Sequence, residues 1–200
     1  MIERKLLDSG IKFIAGCDEA GRGPCAGPLV VAAVILDFPV HKDLSRITDS
    51  KALKEDVREE LFEEIKGRAL DYSIIEISIE EIDKSGVHAA NLEGMRRAIG
   101  ALKIRPEYVL TDGYAIAGLD IPALAVWKGD QIATSIGAAS ILAKVYRDRE
   151  MVKLDEMYPG YGFALHKGYI TAKHTEALQK LGPTQIHRKS FANISALINK

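Results

Sequence analysis

Two hundred residues, 47% hydrophobic and 28% charged, suffice for one compact domain with a full core and fall short of two comfortable ones. The formal net charge of −1 argues against a chain that coats nucleic acid by bulk electrostatics, and the longest apolar run is far short of a membrane span. Cys17 and Cys25 have no histidine cluster beside them to make a zinc motif, and the charged opening MIERKLLDSG does not resemble an export leader, so a cytoplasmic protein without a membrane partner is expected.

In chain order, Ile14 to Glu19 and Leu29 to Leu36 read as strands joined by the Gly/Pro-rich turn AGRGPCAGP, which predicts an antiparallel hairpin. Val57, Leu61, Phe62 and Ile65 recur at helical spacing, with Gly67 placed to cap that helix. Leu70 to Ser78 supplies a third strand. Leu92, Met95, Ala98, Ile99 and Leu102 mark a helix that ends before Pro106, and EYVLTDGY and IPALAVWKGD then read as short strands that each stop at an aspartate, with Trp127 packed in the core. A long helix is expected after Asp130. Its Gly137, Ala138, Ala139, Ser140 and Ala143 permit close approach to a sheet, whereas Arg147-Asp148-Arg149-Glu150 reads as a solvated charged face, with Asp148 a minor candidate for supporting a site. Beyond PGYGFALHKGY, Thr171 caps a helix ending at Gly182-Pro183.

Strands followed by alternating strands and helices predict an α/β fold, a mixed sheet flanked by helices. There is no repeat or linker, so residues 1–200 form a single domain, and no apolar stripe is left to spare, which favours a monomer. From Tyr161 to Lys200 the net charge is +5, against −6 for the remainder. That asymmetry suits an acidic site flanked by a basic, phosphate-gripping C-terminal segment; a chance clustering of solvated charges reads equally well.

Asp18, Glu19, Asp112 and Asp130 each lie where an apolar strand gives way to a turn or helix, the place where α/β folds assemble sites. Burying an ionised carboxylate without a partner costs several kcal/mol, and only Arg22 follows Asp18 and Glu19 closely. An all-oxygen set of this kind suits Mg²⁺ or Mn²⁺ rather than zinc. Taken singly, Asp112 could start a turn at Gly113, Asp130 could cap the long helix and Glu19 could face solvent. Successive strand residues face opposite sides, so Asp18 and Glu19 share a site only if the strand ends or bulges between them.

The segment GRGPCA matches a dinucleotide-binding glycine pattern through Gly21, Gly23 and Ala26, but that pattern opens a helix, and here Pro24 and Pro28 lead into the strand-like LVVAAVIL. The glycines instead let backbone amide and carbonyl groups approach a sugar hydroxyl.

GCDEAGRGPCAGPLVVAAV, TDSKAL (Thr48 to Leu53), TDG (Thr111 to Gly113), KGD (Lys128 to Asp130), GAASILAKVYRDR (Gly137 to Arg149), HKGY (His166 to Tyr169) and PTQIHRKSF (Pro183 to Phe191) occur in the order of the ribonuclease HII motifs. The chain resembles that family over about residues 14 to 191, and the short connection between Asp112 and Asp130 resembles its bacterial form. The resemblance implies a ribonuclease H-like fold with a mixed five-stranded sheet and a helical C-terminal segment. It implies a cytoplasmic endonuclease that cuts on the 5′ side of a ribonucleotide, in RNA:DNA hybrids and in duplex DNA holding single ribonucleotides, and leaves 3′-hydroxyl and 5′-phosphate ends. Asp18, Glu19, Asp112 and Asp130 would bind two Mg²⁺ or Mn²⁺ ions. The Gly21-Arg22-Gly23 backbone would read the ribose 2′-hydroxyl and Tyr169 would stack on the following sugar, with Lys51, Lys144, Lys167 and Arg188 toward phosphate. His166 and His187, beside Lys167 and Arg188, could also touch phosphate, but a metal-supplied hydroxide leaves no need for a histidine base. Two rivals remain open at this level: a DNA nuclease of the same broad fold, which needs neither the sugar-reading turn nor Tyr169, and a non-catalytic nucleic-acid binding module.

Overall fold

The computed structural model describes residues 2–38, 46–47 and 53–198. The elements are α1 (Ile2–Asp8), β1 (Ile14–Ala20), β2 (Leu29–Leu36), α2 (Glu55–Arg68), β3 (Ala69–Ile77), α3 (Ile79–Ser85), α4 (Val87–Gly100), β4 (Tyr108–Asp112), β5 (Ala123–Val126), α5 (Gly129–Ile132), α6 (Thr134–Met157), α7 (Phe163–His166), α8 (Ala172–Leu181) and α9 (Ala192–Ile198). One five-stranded sheet has the order β3-β2-β1-β4-β5. β1 pairs antiparallel with β2 and β2 with β3, whereas β1–β4 and β4–β5 are parallel. The expected hairpin and mixed sheet are present, as are the helices of the C-terminal segment.

The unbroken apolar run of β2 has a simple cause: all eight of its residues are buried, because helices cover both faces of the sheet there. Ala15, Cys17, Val31, Ala33 and Ile35 face α4 through Met95, Ala98 and Ile99. Ala20, Val30, Ala32, Val34 and Leu36 face α2 and α6 through Leu61, Ile65, Ile141 and Leu142. Each large aliphatic side chain buried in these layers contributes about 1.5–3 kcal/mol relative to exposure. A separate small core, with Cys25, Ala26, Met151, Tyr161, Phe163, Leu178 and Ile194, ties the β1–β2 turn to α6 and the C-terminal helices.

The expected small-residue stripe on α6 does bring it against the sheet. At Gly16 a Cβ would lie 2.1 Å from the Ser135 carbonyl carbon, so the helix backbone rests directly on β1. The first turn of α6 has no cap from its own Ala133. One of its donors is met from the other end of the chain: the wholly buried Glu3 of α1 accepts the Ser135 N–H at 3.0 Å and the Ser135 hydroxyl at 3.1 Å through Oε1.

Two expectations and one alternative reading are corrected. Gly67 does not cap α2, which runs on to Arg68 and passes straight into β3 through an extended Ala69; with no intervening turn there is no left-handed position to fill. Asp130 does not cap the long helix, since it lies within the separate turn α5. Trp127 is not core: it is 79% exposed just past β5, which forms an edge of the sheet.

Candidate active site

Asp18 and Glu19 are successive residues of β1, so the pleat sends them to opposite faces. Asp18 lies on the α6 side, beside Ser140, and Glu19 on the α4 side, beside Asn91. The strand neither ends nor bulges between them: its register against β2 continues to Ala20↔Val30. Its pairing with β4, however, stops at Cys17↔Thr111. Both carboxylates therefore stand beside the end of a shorter neighbour, and that end is Asp112, whose charge acts on both. Asp112 Oδ1 accepts the N–H of Gly129 at 2.6 Å, which draws α5, and with it the buried Asp130, to the same corner.

Burial pushes the Asp18 carboxyl well above the usual carboxylate range; Glu19 and Asp112 push it further, and the Ser140 hydroxyl only partly compensates. Glu19 is likewise raised, by burial first and then by Asp112, against the opposing pull of Arg22 and Asn91. Arg22 is a modest counter-charge. Its Nη1 is 3.5 Å from Glu19 Oε1, and the same guanidinium lies 4.6 Å from the Tyr114 ring centroid and donates to the Tyr114 hydroxyl. Glu19 Oε2 is buried with no close hydrogen-bond partner among the described residues, an arrangement that costs about 1–3 kcal/mol. A hard divalent cation fits this corner: the donors are all oxygen, the acids outnumber the nearby cation, and one carboxylate oxygen is orphaned. Among the described residues no three acids yet close on one point as a finished ligand set. Asp18 and Asp112 each hold a backbone N–H meanwhile, of Glu19 at 2.7 Å and of Gly129.

The turn after β1 lies alongside. Gly21 has φ +98°, and a Cβ there would fall 2.0 Å from Arg147 Nε, so both its backbone and its surroundings require glycine. Glu19, Gly21, Arg22, Gly23, Lys144 and Tyr169 line one cleft of about 290 Å³. The Tyr169 ring spans it toward Gly23, where a Cβ would sit 3.4 Å from Tyr169 Cε1. The turn leads into strand β2 rather than a helix, which removes the dinucleotide-binding reading of its glycines.

The lysines and arginines sort unevenly. Lys144 lines the cleft and donates to Asp148 Oδ1 at 2.6 Å. Lys167 has a left-handed backbone, φ 50°, on the segment that carries Tyr169. Lys51 lies outside the described residues. Arg188, expected toward phosphate, is wholly buried, its guanidinium given to the carbonyls of Gly21, Arg22 and Gly27. His187 is wholly buried too, 3.1 Å from His174 between ring nitrogens, and it accepts the Thr184 N–H. The start of the charged run on α6 is not solvated either: Arg147 and Asp148 are buried, Asp148 because Lys144 and Arg58 face it. Ser140, Asn91 and Arg147 are the site neighbours that local sequence did not single out. Only Ser140 carried a hint, as a small residue on the face turned to the sheet.

The ribonuclease HII family model matches residues 15–194. A ribonuclease HII of Rhodococcus opacus is 52% identical over 199 residues, which is 100% of this chain and 88% of that one. A ribonuclease HII of Mycobacteroides abscessus is 54% identical over 96% of this chain and 82% of its own. The crystal structure of the ribonuclease H2 of Pyrococcus horikoshii superposes with a TM-score of 0.81 at 28% identity, covering 94% of this chain and 97% of the other. With its sheet order, its strand-end carboxylates and these matches in agreement, the chain belongs to the ribonuclease HII family and is a type 2 ribonuclease H, an endonuclease.

Proposed function

We propose that this endonuclease hydrolyses the phosphodiester on the 5′ side of a ribonucleotide, in RNA:DNA hybrids and at single ribonucleotides in duplex DNA. In this reading Asp18, Glu19, Asp112 and Asp130 hold two Mg²⁺ or Mn²⁺ ions. When bound, such ions lower the pKa of an attacking water and stabilise the leaving 3′-oxygen, giving 3′-hydroxyl and 5′-phosphate ends. The Gly21-Arg22-Gly23 backbone meets the 2′-hydroxyl. Tyr169, 49% exposed, stacks on the next sugar, and Lys144 and Lys167 stand near the phosphates on either side of the turn. A deoxynucleotide would leave the turn's polar groups unpaired, and sites built to bond a hydroxyl reject analogues lacking it. We take the protein to act as a monomer in the cytoplasm, in the replication and repair of DNA.

The observation that carries this reading is the shared cleft: a buried carboxylate with an orphaned oxygen lies beside a glycine turn faced by a half-exposed tyrosine. The test is incubation with Mg²⁺ and a duplex holding one ribonucleotide, beside an all-DNA duplex and Asp112→Asn protein. Nicking of the ribonucleotide duplex alone, lost in the variant, is expected. Nicking of both duplexes would indicate a DNA nuclease, and nicking of neither, or equal nicking by the variant, would remove the proposal.

A further inference from the structure

Two arginines near the cleft are buried without forming an ion pair to any described residue: Arg147 is 2% exposed and Arg188 0%. A buried guanidinium is costly unless its donors are met, and here backbone carbonyls meet them. Arg188 donates from Nε to Gly27 O (3.0 Å), from Nη2 to Gly27 O (2.8 Å) and Gly21 O (2.7 Å), and from Nη1 to Arg22 O (3.2 Å). Arg147 donates from Nε to Pro28 O (2.8 Å), from Nη2 to Ala26 O (3.1 Å) and from Nη1 to Lys167 O (3.0 Å). Between them they hold five carbonyls of the turn and one of the segment that carries Tyr169. Burial lowers both groups, Arg147 to about 10 and Arg188 to about 9, which leaves each charged at neutral pH.

The geometry has a directional consequence. A peptide unit is planar and trans, so its C=O and N–H point opposite ways. When Arg188 draws the carbonyls of Gly21 and Arg22 inward, the same two peptide planes turn the N–H groups of Arg22 and Gly23 the other way. Arg147 adds the second dimension: by holding Ala26 and Pro28 together with Lys167, it fixes how far the turn lies from Tyr169. The contact is reinforced by the Cys25 N–H donating to Gly168 O at 3.0 Å and the Arg188 N–H to Cys25 O at 2.8 Å.

We propose that Arg188 and Arg147 are positioning residues for ribose selectivity. Arg188 sets the peptide planes that present donors to the 2′-hydroxyl, and Arg147 sets the span between that turn and Tyr169. The proposal rests on the reading of the cleft given above.

Lysine keeps the charge at either position but gathers its three donors on one nitrogen and lacks the planar fork that spans these separated carbonyls. The test therefore uses Arg188→Lys and Arg147→Lys in the full chain, with two readouts. Hydrogen exchange is expected to quicken at least tenfold in peptides covering Gly21–Pro28 for both variants, and also in those covering Lys167–Tyr169 for Arg147→Lys, while β2 and β3 stay protected. Selectivity, read as the inhibition constant of an all-DNA duplex divided by the KM of the ribonucleotide duplex, is expected to fall at least tenfold through the raised KM. Equal weakening of the KM and of the all-DNA inhibition constant, a lowered kcat with KM unchanged, or turn exchange equal to wild type would overturn the proposal, since a merely destabilised protein loses its hold on both duplexes alike or only its active fraction. If Arg188→Lys does not fold, Arg147→Lys decides by the same two measures. A wild-type protein that nicks neither duplex would remove the proposed function, and the exchange measurement would still decide whether the two arginines brace the turn.

Discussion

The same chemical change, one methyl group added to a glycine, is predicted to have opposite signs at two positions. At Gly16 the new Cβ would lie 2.1 Å from Ser135 C, 2.2 Å from Ser135 O and 2.4 Å from Ile136 N. Carbon atoms pack at about 3.5–4.0 Å, so β1 and α6 would have to part by about 1.4 Å or more. All three obstacles are backbone, and no rotamer relieves them. Overpacking costs about 1–3 kcal/mol and occasionally more, which places Gly16→Ala at about 3 kcal/mol destabilising. At Gly67, exposed on α2, nothing lies within 4 Å of a Cβ and φ is not positive. There alanine should stabilise by about 0.5–1 kcal/mol, through the lower entropy of the unfolded chain. With a urea slope of about 2 kcal/mol per molar, the midpoint falls by about 1.5 M for Gly16→Ala and rises by about 0.3 M for Gly67→Ala. Far-UV circular dichroism is the right probe, because Trp127 is already 79% exposed and its emission will report unfolding poorly. A Gly16→Ala midpoint within about 0.3 M of wild type would refute the claim that the helix carrying Ser140 rests on the strand carrying Asp18.

Three further outcomes follow from the site and its supports. Asp112→Asn keeps an oxygen for the Gly129 N–H yet removes a charge that raises Asp18 and Glu19; calorimetric Mn²⁺ binding and nicking should be lost while the melting temperature stays level or rises, and a lower melting temperature would contradict the repulsion. His187 is held down to about 4 by burial and by His174, below its ordinary value of about 6.5, so the folded state binds fewer protons than the unfolded one between those limits. Its contribution is fully present above about pH 6.5, declines as pH falls and is gone below about pH 4, at most about 3 kcal/mol; urea midpoints from pH 7 to 4.5 should drop more steeply for wild type than for His187→Gln, and equal slopes would count against it. Tyr169→Ala should raise KM for the ribonucleotide duplex about tenfold, within the range of one lost stacking contact, with kcat changed far less; an unaltered KM would separate Tyr169 from substrate.

What was legible in the sequence was whatever local periodicity and punctuation encode. The apolar run Leu29 to Leu36 and the turn before it marked a hairpin, and Thr171 and Gly182 marked the ends of α8, where the Thr171 hydroxyl does accept the His174 N–H at 3.2 Å. One readable signal is masked by its neighbour: Ser78 and Glu81 form a reciprocal capping box that opens α3, but Ser78 also closes the strand-like LDYSIIEIS. The remainder depends on partners remote in the chain. Nothing around Arg147 or Arg188 in sequence announces burial, because the carbonyls that make burial tolerable come from Gly21 to Pro28 and from Lys167. Likewise Trp127 looks like core until β5 is known to be an edge strand. That Asp18 and Glu19 adjoin one corner despite opposite facing required the register, which shows β4 ending beside them.

The cap that Glu3 places on α6 joins residues 132 positions apart. During synthesis from the N-terminus, that carboxylate leaves the ribosome long before the Ser135 amide and hydroxyl it will receive. The opening turn of the helix bearing Ser140, Lys144 and Arg147 is thus completed only by a residue translated 132 positions earlier, so the helix that carries much of the cleft cannot reach its final capped state from its own segment alone.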